Sequence, residues 1–144
     1  MWWGGVVMAM GWGALRDLLV QQLSASIQII KGMIEWMKYV GEAGKSREGG
    51  LVGPYGKMLE QMLNSYFKLL FIILNSLEVL LTTYSRVDAR LDAVVPRIDE
   101  ARRLVNDAAR DLSMGSMDAT ARELEAAAEV LLSIQGTILS NTPP

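Results

Sequence analysis

A chain of 144 residues with 51% hydrophobic side chains and a mean hydropathy of +0.22 is the size of one ordinary domain, yet more apolar than its own core requires. Net charge is −2, from 14 basic and 16 acidic residues with no dense basic run, so direct nucleic-acid binding is not expected. Cysteine and histidine are both absent, which removes disulfides, thiolate nucleophiles, the commonest transition-metal ligands and the usual proton carrier at neutral pH.

The run Met1-Trp2-Trp3-Gly4-Gly5 has no basic residue and is followed by a third Trp at position 12, so it does not read as a secretory signal. Four Trp, four Tyr and two Phe all lie between Trp2 and Tyr84. Every Lys precedes residue 69, and every basic residue after Tyr84 is Arg. Seven of the 14 basic and six of the 16 acidic residues fall in 1–84, leaving seven and ten in 85–144. The chain therefore divides into an apolar, aromatic-rich part, 1–84, and an acidic, Ala/Arg/Glu-rich part, 85–144.

Helical periodicity dominates throughout, and β-branched residues do not alternate with polar ones over any useful length. The spacing predicts a first helix over 14–40, ended by the glycine-rich stretch from Gly41 through Gly53 and Pro54. A second helix is expected from about Tyr55 to Tyr84. Ser85-Arg86-Val87-Asp88 has the form of a capping box, Ser at the N-cap and an acid three residues on, and starts a third helix to Leu112 unless the second runs on unbroken. Pro96 inside that helix should bend it near Asp92. After the turn Ser113-Met114-Gly115-Ser116, a fourth helix is expected from Met117 to Leu139.

The two pairs of helices have opposite amphipathy. In the third, Val87, Leu91, Val94, Ile98, Ala101, Val105, Ala108 and Leu112 make a narrow 4-3-4-3 seam. The fourth repeats it with Met117, Ala121, Leu124, Ala128, Leu131, Gln135 and Ile138, widened by Val130, Leu132 and Ile134. A short connection makes these two an antiparallel, coiled-coil-like hairpin with charged outer faces. In the first and second helices it is the polar residues that are confined to a stripe: Asp17, Gln21, Ser24, Gln28, Lys31, Glu35, Lys38 and Glu42 on one; Lys57, Gln61, Asn64, Lys68, Asn75, Glu78, Thr82 and Ser85 on the other. The expected fold is all-α: two antiparallel hairpins, the first very apolar and the second solvated.

Most of the circumference of the first two helices cannot face water. Their stripes either face one another, which sets Glu42 near Lys57 and Lys38 near Glu60 with residue numbers summing to about 99, or face water or headgroups while the wide apolar surfaces are buried. Trp2, Trp3, Trp12, Ile30, Ile34, Trp36, Leu70, Phe71, Ile72 and Ile73 are the candidate assembly or lipid-facing residues; Gln28, Lys31, Glu35, Lys38, Gln61, Lys68, Asn75 and Glu78 form the polar seam. No uncharged stretch reaches the roughly 18 residues of a clean membrane span, although 62–77 contains only Lys68, and the Trp and Tyr residues near segment ends suit an interface.

Gly44-Lys45-Ser46 has the tail of a phosphate-binding loop but Tyr39 where its first glycine belongs, and Gly53-Pro54-Tyr55-Gly56-Lys57 fails in the same way. Asp99-Glu100 and Glu123, Glu125 and Glu129 lie among arginines and read as exposed ion-pair faces. No catalytic residue, cofactor, metal site or small-molecule substrate is expected.

In its lack of Cys, its apolar helical hairpins and its glycine-rich turn, the chain resembles the small all-helical virion structural proteins of archaeal viruses. That resemblance implies a self-assembling shell subunit. Those members that wrap DNA tend to be basic, so the slightly acidic charge points instead to an outer shell or envelope layer. The expected partners are copies of the chain itself and, second, a lipid membrane. The alternatives are a cellular membrane-associated helical protein, an oligomeric pore or scaffold, and a soluble helical adaptor.

Overall fold

In the computed structural model the backbone is described for residues 2–45, 54–86 and 88–140, and side-chain surroundings for 11, 13–39, 56–86 and 88–140. Four helices account for almost all of it: α1 (Trp2–Lys45), α2 (Pro54–Ser85), α3 (Val95–Ser113) and α4 (Met117–Ser140), with a 3₁₀ turn at Ala89–Leu91. No strand occurs among the described residues. The all-α expectation holds, with α2 and α4 within a residue of the expected limits.

α1 packs on α2, α2 on α3, α3 on α4, and α4 back on α1. Each neighbour pair is antiparallel, giving an up-down-up-down four-helix bundle. One continuous core runs through it, from Leu19, Leu23 and Ile30 of α1 and Leu63, Leu70 and Leu77 of α2 to Ile98 and Val105 of α3 and Leu124 and Leu131 of α4. Every one of these is wholly buried. Each such side chain contributes about 1.5–3 kcal/mol relative to leaving it in water. The expected seam of the second hairpin is the surface that closes this core. Leu91, Val94, Ile98, Ala101, Val105, Ala108 and Leu112 are all buried, whereas Val87 lies outside the described side chains.

Three local expectations are corrected. α1 is longer than predicted at both ends, reaching Lys45; at its start Gly11 breaks it without ending it, leaving helical geometry at φ 73° and ψ 166° while helix continues on either side. The third helix does not start at Ser85. That residue belongs to α2, its hydroxyl donating to the Thr82 carbonyl at 2.9 Å; Asp88 caps the 3₁₀ turn, accepting from the Arg90 amide at 3.0 Å, and α3 begins after Val94 with no side-chain cap. Asp88 also holds the Arg90 guanidinium at 2.7 Å, which keeps its carboxyl below the usual carboxylate range. Pro96, finally, does not bend a helix interior. It sits in the first turn of α3, where a missing N–H costs nothing, and so helps to start the helix.

Between α3 and α4 the chain turns through a Schellman motif, with Ser116 N–H donating to Asp111 O at 2.9 Å and Gly115 N–H to Leu112 O at 3.0 Å. Gly115 takes the left-handed conformation this requires, φ 83°. Buried polar groups fix the register of α4 on both sides. The Thr120 hydroxyl reaches the Ala108 carbonyl of α3 at 3.3 Å, and Gln135 Nε2 donates to Ser24 Oγ at 2.7 Å and to Val20 O of α1 at 3.3 Å.

Candidate assembly surface

The bundle divides the expected assembly residues by depth. Ile30 and Leu70 are completely buried and Ile34 nearly so, all within the chain's own core. They therefore cannot face lipid or a neighbour, because α3 and α4 already cover them. Phe71 and Ile73 are half-buried, Trp36 and Ile72 are exposed, and Trp2, Trp3 and Trp12 lie outside the described side chains. Sequence reasoning treated the wide apolar faces of the first two helices as surplus, whereas most of that surface is used internally by the second hairpin.

A surplus remains on the outside. Between α1 and α2, Ala25 of α1 and Ile72 of α2 border a shallow groove, and Trp36 of α1 and Leu69 and Val79 of α2 are also exposed, Val79 on the cleft between α2 and α3. Ile72 is 66% exposed and Val79 54%. The hollow near its middle, about 290 Å³, is lined by Gln21, Gln22 and Ala25 and by Ile72, Ile73 and Ser76. Its lining brings residues 21–25 of α1 beside residues 72–76 of α2, sums of 93 to 101 that span the expected 99. At the end of the groove nearer the α1–α2 connection, Tyr39 (68% exposed) packs edge-on against Trp36, with ring centroids 6.2 Å apart, and Met58 is also exposed. Tyr39 was singled out from the sequence, among the Trp and Tyr residues near segment ends, whereas Met58, Leu69 and Val79 were not. Their signal was available in the helical wheel, where they share the Ile72 and Trp36 side.

The polar stripes do not face each other. Gln28, Lys31, Glu35, Lys38, Gln61, Lys68 and Asn75 are all exposed, and among the described residues no ion pair joins α1 to α2. Glu78 departs from the rest of its stripe: it is half-buried and ion-paired with Arg102 of α3, which also lies 3.9 Å from Asp99. The stripes lie instead towards the other neighbours: Asn75, Glu78 and Thr82 line the cleft between α2 and α3, and Ser24 bonds Gln135 of α4. Gln22, on the groove wall, keeps its Oε1 buried without a donor.

Elsewhere the polar surface is acidic. Glu123 of α4 is raised to about 7, first by burial and then by a hydrogen bond to Asp111 and the charges of Asp111 and Asp107 across the α3–α4 seam, with Arg110 opposing. One of its oxygens is buried and has no partner. Among the described residues no group of three or more carboxylates is arranged to hold a metal ion. A wider, open cleft of about 510 Å³ between α2 and α3 has Asn75, Glu78, Val79, Thr82, Arg86 and Arg102 on its walls. The segment Gly56–Ser85 of α2 is long and apolar enough, by length and composition, to cross a membrane, with a mean hydropathy of 1.5. No protein-family model, curated protein or solved structure matches this chain.

Proposed function

We propose that this chain is a self-assembling structural protein, a subunit of a virion shell or envelope layer, whose copies meet through the outer face of α1 and α2. The observation that carries the reading is the exposed apolar groove. A folded monomer with a complete core still exposes Trp36 and Tyr39 of α1 and Met58, Leu69 and Ile72 of α2. The reading assigns the chain no catalytic residue, cofactor or small-molecule substrate, and it gives nucleic acid no role, since residues 85–144 carry ten acidic side chains against seven arginines.

A second reading, a membrane-associated pore or scaffold, is favoured by one observation: only 28% of the most apolar window of α2 is buried inside the bundle. Mass measurement of the purified protein with and without mild detergent, combined with a lipid assay, separates the two. Lipid-free oligomers that persist in buffer support self-assembly. A monomer in buffer overturns it, and recovery with bound lipid supports the membrane reading.

A further inference from the structure

We draw no further inference here: the strongest candidate, the shallow groove between α1 and α2 with Ala25 and the exposed Ile72 on its sides, carries nothing beyond the self-assembly reading, because it is an unpartnered apolar surface and nothing in the structure shows what covers it.

Discussion

Two isoleucines 42 positions apart, Ile30 and Ile72, look alike in the sequence and have opposite fates in the bundle: one is 0% exposed, the other 66%. Replacing each by Asp separates core from surface. At position 30 the substitution loses about 2–3 kcal/mol of apolar burial. It also strands a carboxyl that can only be kept neutral, and a pKa forced some three units above its ordinary value to pH 7 costs about 4 kcal/mol more. The total, about 6–7 kcal/mol, is comparable with the whole stability of a domain, about 5–15 kcal/mol. At position 72 only about a third of the side chain is covered, so the loss is about 0.5–1 kcal/mol with a few tenths for helix propensity. Thermal melts followed by circular dichroism should show Ile30→Asp largely unfolded or melting tens of degrees early. Ile72→Asp should melt within about 5 °C of the wild type when both are measured dilute enough to be dissociated. Sedimentation of the same samples should show that Ile72→Asp, although folded, no longer associates. A cooperative, near-wild-type melt for Ile30→Asp would refute the packing of α3 and α4 over α1, and an unfolded Ile72→Asp would refute the exposure of the groove.

Three further outcomes follow from particular contacts. Because Glu123 titrates near 7 in the fold and at an ordinary carboxylate value unfolded, the bundle binds this proton more tightly when folded; its contribution is complete below pH ~4.5 and is lost as pH rises through 7. Urea titrations should therefore show stability falling between pH 5 and pH 8, and Glu123→Gln should flatten that slope, whereas an unchanged slope would remove Glu123 as its source. Gly115→Ala meets no atom within 4 Å, so its cost is purely the left-handed backbone, about 1 kcal/mol, read as a Tm lower by a few degrees. Gln135→Ala removes the donor shared by Ser24 and Val20 and should cost about 1–2 kcal/mol in denaturant unfolding; a change below a few tenths would mean that this bond does not hold α4 on α1.

How much of this was legible depended on the range of the interaction that decides it. The 4-3-4-3 seam of α3 was read residue by residue, because a narrow apolar stripe on a polar helix has only one way to be buried. The turn at Gly115 was equally plain, since short-range chemistry settles it. The α2–α3 corner was not. Ser85 and Asp88 have capping-box spacing, but Asp88 bonds the Arg90 amide and guanidinium instead, and a 3₁₀ turn takes up the residues that a continuous helix would have used. Pro96 suited either a bent helix or a helix start, and only the position of that turn decides between them.

The candidate surface was legible as a class of residue and not as a place. Helices as apolar as α1 and α2 announce that something must cover them, but the sequence does not apportion the cover between the chain and its neighbours. Ile30, Leu70 and Ile72 carry the same hydrophobic signal, and what distinguishes them is whether the second hairpin lies against that side of the helix. The polar stripes show the same limit. Read along the chain, Lys31, Glu35 and Lys38 form one mixed stripe with no net sign. Once Gln135 fixes Ser24 and Val20 as the side of α1 turned to α4, Lys31 and Glu35, each about 20° from Ser24 round the helix, both fall on that edge. The stripe keeps its mixed sign there, on the edge of α1 next to α4. Where the stripe lies is thus a property of the bundle: it is set when α4 docks on α1, and Gln135→Ala, which loosens that docking, should cost stability without changing the sign of that edge.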